Sequence, residues 1–338
     1  MQQLVPIPLI DDALFIDNSS LERFTTCPRS AEYYICRKRE SSDERVALGF
    51  GKRIHRILEA RYEFHPNVIP AEFPRTDTSE VGTGQRMLAR AQQVFADWSV
   101  GEEEHRNFST AVDLITSYNA HYPIEAFEVL RLPNGKPAIE VPFAVPIGEL
   151  EVNRELLVRN PDGTITLRYV GTIKVMWTGK IDLIYKREGR IYIMDHKTTS
   201  MMGPSYFREF DLSSQVCGYL WAVSKLLGNV AVAGFIVNAL AIRKQTKTGK
   251  RFEFERYPVP ADDSLIAEFV EDVLHDVSDL IEFASRGYFP KHTKWCVGKY
   301  GPCQYAQICS LPPHSRELML MSGNFKTVEW DPLNPDAP

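Results

Sequence analysis

The segment GKIDLIYKREGRIYIMDHKTT, residues 179–199, decides the fold. Two runs rich in β-branched and aromatic residues flank Glu188-Gly189, and glycine tolerates the positive φ that a two-residue hairpin loop requires. A turn centred there sets Ile184 opposite Ile193 and Leu183 opposite Met194, on alternate faces of a sheet. The same register places Asp182 directly across from Asp195, with Lys197 on the Asp195 face. Opposed side chains have Cβ atoms about 4.5–5.5 Å apart, and like charges in that relation are destabilising. A divalent cation between the carboxylates removes the conflict, and oxygen ligands suit Mg²⁺ or Mn²⁺. A lysine beside them can orient an attacking water or stabilise charge developing on a phosphate. The competing reading is a solvated strand, since an isolated D-x-K recurs by chance and a one-residue slip would separate the faces.

Outward from the hairpin, the period of the sequence changes twice. AIEVPFAVPI and TIKVMWTGKIDLIY read as strands before the turn. After it, SSQVCGYLWAVSKLLG reads as a helix closed by Gly228. VAGFIVNALAIRK and RFEFERYPV read as two strands joined by the basic tip QTKTGK. Upstream, the pattern predicts a helix near residues 19–40, with Pro28 opening a second short one, and a helix over 46–64 with Ile54, Ile57, Leu58 and Tyr62 on one face. Residues 65–84 are proline-rich and polar and read as a loop, with helices expected over 85–98 and 107–122. DDSLIAEFVEDVLHDVSDLIEFASRG is a long amphipathic helix, and the tail ending in LNPDAP is expected to fray. This order predicts an α/β fold with a helical insertion near the front.

The chain of 338 residues is 44% hydrophobic and 25% charged, which excludes wholesale disorder and collagen-like repeats. Net charge is −5, so a histone-like binder driven by bulk positive charge is excluded, whereas an enzyme with a local basic groove is not. No apolar run is long enough to span a bilayer. The start, MQQLVPIPLIDDALF, lacks the pattern of a signal peptide, so a cytoplasmic location is expected. In that reducing compartment six cysteines are free thiols or metal ligands rather than bridges.

GKIDLIY, IMDHKTT and QVCGY together resemble the RecB-like branch of the PD-(D/E)XK nuclease superfamily. That branch has an aspartate on one strand, D/E-x-K on the next, and Q-x-x-x-Y on the following helix: here Asp182, then Asp195 and Lys197, then Gln215 and Tyr219. GKRIHRILE is similar to the family's G-x-x-x-H-x-x-L-E helix, which implies His55 as a metal ligand. AIEVPFAV is similar to its glutamate-bearing strand and implies an orienting role for Glu140. Ile181 stands where the name-giving proline would be. The matching segments run from Ser20 to Cys309 in family order. The resemblance implies a restriction-endonuclease-like core, a central mixed β-sheet flanked by helices, with an N-terminal helical region and a C-terminal cysteine-rich staple. One domain over 1–316 is expected, with the insertion at about 65–125, the catalytic core at about 138–260, the last helix and cysteine loop at 262–310, and a flexible tail over 317–338.

Cys296, Cys303 and Cys309 cluster in KWCVGKYGPCQYAQICS, and Cys27 stands alone in TTCPRSAEYY. In a group of RecB-like nucleases, one N-terminal and three C-terminal cysteines hold a [4Fe–4S] cluster, and this arrangement is similar. The departure is C-x6-C where many members have C-x2-C. Zinc remains the alternative occupant, since four thiolates satisfy it too. Cys36 and Cys217 read as spare.

The resemblance implies a metal-dependent DNA nuclease, an exonuclease on single-stranded ends. Asp182, Asp195 and His55 would bind Mg²⁺ or Mn²⁺, and Lys197 would position the water. Lys52, Arg53 and Arg56 beside His55, and Arg243, Lys244, Lys247, Lys250 and Arg251 at the basic tip, are candidates for holding the phosphate backbone. Gln215 and Tyr219 share a helix face and are candidates for a DNA contact. The other class of reading is a nucleic-acid-binding or assembly module with this fold and little cleavage. A helicase, recombination or CRISPR-adaptation partner is compatible with the family.

Overall fold

The computed structural model describes residues 4–43, 45–63, 80–101, 104–246, 249–298 and 301–328. Its contacts divide the chain into two units: Met1–Asp43, Pro142–Gly179 and Asp263–Pro338 form one, and Glu44–Val141 with Lys180–Asp262 the other. Two long strands, Ile139–Arg159 and Ile165–Arg187, supply residues to both and run well beyond the short strands that the hydrophobic runs predict.

The second unit holds much of the mixed sheet. Strand Arg190–Thr199 pairs antiparallel with Leu183–Arg187 and parallel with Val232–Ile242, which pairs antiparallel with Phe252–Pro260. Leu183 faces Met194 and Ile184 faces Ile193, the register read from the sequence. Glu188 and Gly189 both take positive φ, 51° and 78°, as a type I′ hairpin turn demands. The parallel step requires a crossover, provided by helices Pro204–Asp211 and Ser214–Leu226. Val232–Ile242 is apolar almost throughout because it is flanked by strands on both edges and covered on its faces.

Helices Val46–Glu63, Glu80–Val94 and Phe108–His121 form the expected helical region. Phe50, Ile54, Ile57, Met87, Leu114 and Tyr118 interlock there, and Leu240 and Ile242 of the sheet join them. Each fully buried aliphatic or aromatic side chain contributes about 1.5–3 kcal/mol, so this apolar stripe fixes which way the Val46–Glu63 helix faces. Residues 65–79 of the expected loop lie outside the described residues.

In the first unit, Ala13–Asp17 pairs parallel with Lys174–Thr178. Asp17 caps the Asn18–Thr26 helix by accepting from the Ser20 backbone N–H at 2.7 Å. Cys27 is extended and ends that helix; Pro28 opens the next, which runs on as a π-helical turn over Glu32–Cys36. The long helix Asp263–Arg286 packs Phe269 on Trp177. The tail expected from residue 317 differs: helix Pro313–Leu320 and strand Phe325–Thr327 follow, the latter pairing with Arg39–Ser41. Leu320 and Phe325 are buried with Tyr33, Tyr305 and Ile308, which anchors residues 317–328, while the LNPDAP stretch expected to fray lies outside the described residues. Residues 329–338 lie outside the described residues. Among the described residues no helix is long and apolar enough to cross a membrane.

Candidate active site

The site lies within the second unit, where the Val46–Glu63 helix crosses strand Arg190–Thr199. Gly51 permits the approach: a β-carbon there would sit 2.9 Å from Thr198 Oγ1. One turn later His55 extends over the sheet, and its Nδ1 lies 3.2 Å from Asp182 Oδ2. The same oxygen accepts the His196 backbone N–H at 2.7 Å, so Asp182 is tied to the neighbouring strand.

Glu140 completes a triad that residue reading left divided. One ligand atom each from His55, Glu140 and Asp182 lies within 4.8 Å of the others. Glu140 takes a left-handed φ of 49°, a conformation that costs a side-chain-bearing residue about 1–3 kcal/mol and persists where function holds it. Its carboxylate also meets Lys180 Nζ at 2.6 Å.

Asp195 faces another way. Its Oδ2 lies 2.7 Å from Lys197 Nζ, and its Oδ1 accepts from Gln215 Nε2 at 3.3 Å. Lys197 Nζ in turn donates to Gln215 Oε1 at 2.9 Å. Asp195 Oδ2 is fully buried, with the Lys197 ammonium as its ion-pair partner. The His55–Glu140–Asp182 triad fits a hard divalent ion with mixed oxygen and imidazole ligands.

The electrostatics agree. Burial raises the pKa of Asp195, reinforced by the Asp182 charge and opposed by Lys197. Burial and Asp182 likewise raise that of Glu140 against the pull of Lys180. Burial alone would raise the pKa of Asp182, but His55 and the His196 N–H outweigh it and hold the group well below the usual carboxylate range. His55 moves up: the charge and hydrogen bond of Asp182 overcome its own burial. Buried groups whose pKa values are pushed apart in this way are typical of functional sites.

Beneath the triad runs a buried polar chain with no counterpart in the motifs. Burial depresses His196 to about 3, so its ring is neutral. It stacks on Tyr62 and lies 2.8 Å from Asn238 Nδ2, which donates to Tyr118 Oη at 2.9 Å. Arg256 donates to Tyr118 and, with Arg61, clamps Glu125. The signal for these residues was available: His196 and Asn238 interrupt apolar strands, and a polar residue there must be hydrogen-bonded.

Other candidates fall in different places. Tyr219 is buried and donates to the Lys180 carbonyl at 3.0 Å, so it braces the strand rather than presenting itself to a ligand. Arg53 donates to the Val94 carbonyl at 2.8 Å, pairs with Asp97 and stacks over Trp98, so it staples two helices. Lys52 and Arg56 are exposed, Arg56 pairing with Glu59. At the basic tip Arg243 pairs with Glu253 and Arg251 with Asp113, while Lys244 and Lys250 are exposed. Lys247 lies outside the described residues.

In the first unit the four cysteines converge. Burial raises the pKa of Cys303, with added repulsion from Cys27 and Cys296; burial also raises that of Cys309, with added repulsion from Cys27 and Cys303. Cys303 donates its backbone N–H to the Cys296 carbonyl, and Cys27 Sγ accepts the His292 N–H at 3.5 Å. Cys36 is fully buried and Cys217 half-buried.

No curated protein matches the chain. Among solved structures it is similar to a Eubacterium rectale protein named as a candidate exonuclease, at 13% identity and a TM-score of 0.49, covering 91% of this chain and 93% of that one. It is also similar to the crystal structure of SSO0001, at 14% identity and a TM-score of 0.24, over 68% of this chain and 74% of that one. The PD-(D/E)XK nuclease superfamily model matches residues 18–310. With its hairpin, D-x-K strand and mixed sheet in family order, the chain belongs to the PD-(D/E)XK nuclease superfamily.

Proposed function

We propose that this protein is a metal-dependent deoxyribonuclease that removes nucleotides from the ends of single-stranded DNA. The observation that carries this reading is the juxtaposition of the His55–Glu140–Asp182 triad with Asp195 and Lys197 of the adjoining strand and Gln215 of the crossover helix. His55, Glu140 and Asp182, with Asp195 Oδ2, would hold Mg²⁺ or Mn²⁺. When bound, such an ion supplies Lewis-acid stabilisation of the phosphoryl oxygens and lowers the pKa of water.

The chain's own groups do the rest. Gln215 accepts from the Lys197 ammonium and donates to the Asp195 carboxylate, so it orients both groups toward an attacking water. Asp195, with its raised pKa, is suited to accept that water's proton. Lys197 can donate to a non-bridging phosphate oxygen as negative charge gathers there. The water oxygen bonds to phosphorus in line as the bond from phosphorus to the 3′ oxygen breaks, and that oxygen leaves with a proton from solvent. The buried neutral His196 keeps the Asp182 strand in register without joining the proton transfer.

We further propose that Cys27, Cys296, Cys303 and Cys309 hold a structural [4Fe–4S] cluster. The support for this reading is the mutual charge effect that links Cys27 with Cys296, Cys303 and Cys309. Protein purified without air should be brown and carry close to four irons, and one zinc with no iron would refute the cluster alone.

The test of the nuclease reading is cleavage of labelled single- and double-stranded DNA, blocked at either end, with and without Mn²⁺. Cleavage should need the metal and a free end, and Asp195→Ala and Lys197→Ala should each abolish it. Substantial residual cleavage in both variants would sink the assignment.

A further inference from the structure

Arg37 and Arg39 follow the π-helical turn, and Arg159 ends a long strand. All three line one cavity of about 340 Å³ whose residues belong entirely to the first unit. Its walls are otherwise mostly apolar, Leu157 and Ile165 among them, and Glu317 is its single carboxylate. Arg37 is neutralised, donating to Glu317 at 2.7 Å and to Glu32 at 3.0 Å. Arg39 has only the Thr327 hydroxyl at 3.0 Å and the Met321 thioether at 3.1 Å. Arg159 has only the Cys36 carbonyl, 3.2 Å from its Nε. Neither forms an ion pair among the described residues, so three guanidiniums face one cavity with Glu317, already paired with Arg37, as its single carboxylate. Burial lowers the pKa of Arg159, and the nearby Arg37 and Arg39 lower it further against the pull of Glu317. Three guanidiniums against one carboxylate leave the apolar-walled hollow with a net positive charge that a bound anion would offset.

We propose that this cavity binds a nucleoside monophosphate, free or as the 5′-phosphorylated end of a strand. The net positive charge of the cavity matches a phosphate monoester, which carries about −1.5 to −2 charges at neutral pH, better than a singly charged diester. Guanidinium forks suit phosphate oxygens in pairs. The apolar walls accept a flat body of nucleobase size, and the volume falls in the usual range for small-molecule sites. The choice of a nucleoside as that body rests on the proposed nuclease activity; the charge argument does not.

Calorimetry in EDTA, where the proposed catalytic ion plays no part, separates the two. The probes are deoxyadenosine 5′-monophosphate, deoxyadenosine, inorganic phosphate, and a single-stranded oligonucleotide with either a 5′-phosphate or a 5′-hydroxyl. The monophosphate should bind about tenfold or more tighter than the nucleoside or phosphate alone. Arg39→Gln and Arg159→Gln should each weaken it about ten- to a hundredfold, as loss of a charged hydrogen bond does. Glu317→Gln, at a largely exposed position where folding is not at stake, should tighten it several-fold by releasing Arg37. An oligonucleotide preferred only when 5′-phosphorylated identifies a strand end as the source; binding of the free monophosphate alone identifies the nucleotide. The proposal is overturned if the monophosphate binds no better than deoxyadenosine, if neither arginine substitution weakens it, or if Glu317→Gln leaves it unchanged or weaker.

Discussion

A β-carbon on Gly51 would lie 2.9 Å from Thr198 Oγ1, so the helix bearing His55 meets the strand bearing Asp195 and Lys197 at a residue with no side chain. Gly51→Ala should be mild, because the Thr198 hydroxyl can turn away. Gly51→Val forces the two elements apart and should cost about 1–3 kcal/mol, the usual range for overpacking. It should also lift His55 from Asp182 and weaken Mn²⁺ binding. Urea denaturation and metal titration test this; wild-type values for both in Gly51→Val would refute the contact's role.

Glu140 should contribute to the metal more than Asp195 does. In EDTA, Glu140→Gln relieves repulsion with Asp182 but strands Lys180, and the two effects leave stability within about 1 kcal/mol of wild type. Ion at a hundred times its Kd stabilises a one-site protein by about 2.7 kcal/mol, a gain that shrinks to about 0.4 if affinity falls a hundredfold. Thermal denaturation with and without Mn²⁺ should show that loss in Glu140→Gln and a smaller one in Asp195→Asn. Equal protection of Glu140→Gln and wild type would remove Glu140 from the ligand set.

The hairpin carrying Asp182 and Asp195 was legible because a glycine turn and two alternating strands fix its register locally. His55 was singled out by the resemblance of GKRIHRILE to a family helix; that Gly51 in the same segment marks a close helix–strand approach emerges only from the structure. Glu140 as a triad member was not legible, since its place depends on a left-handed backbone that no periodicity announces. Arg53 misleads for a related reason: a basic residue next to His55 resembles a phosphate contact, yet its partners Val94, Asp97 and Trp98 lie some forty residues on. Tyr219 matches a motif position, but its hydroxyl is committed to the Lys180 carbonyl. Local patterns reveal which residues share a strand or helix face; they do not reveal which long side chains are already satisfied by distant partners.

Gln215 touches both Lys197 and Asp195 and is therefore a positioning residue for each. Gln215→Ala should lower kcat about 10–100-fold, the range for losing a group that orients a catalytic one, with Mn²⁺ affinity nearly unchanged. Tyr219→Phe should instead cost about 0.5–1.5 kcal/mol of stability through its lost hydrogen bond and leave DNA affinity alone. A fall in DNA affinity for Tyr219→Phe at unchanged stability would reverse this assignment.

Glu125 gives the fold beneath the site its acid sensitivity. Burial would raise its pKa, but Arg256 and Arg61 hold it below the ordinary carboxylate value. Between the folded and unfolded pKa the unfolded chain binds more protons, so stability rises with pH there. The contribution is complete above the unfolded value, near pH 4.3, and is lost as pH falls through the folded one. Glu125→Gln removes this dependence and leaves two largely buried arginines facing a neutral amide, a change that costs about 3–5 kcal/mol at pH 7. Because Arg256 also holds Tyr118, and through it Asn238 and His196, the variant should lose order around the Asp182 strand as well. Urea midpoints measured from pH 7 down to pH 3 should therefore converge for wild type and Glu125→Gln as acidity rises. A constant gap between the two curves across that range would show that the carboxylate charge of Glu125 is not what Arg256 and Arg61 hold.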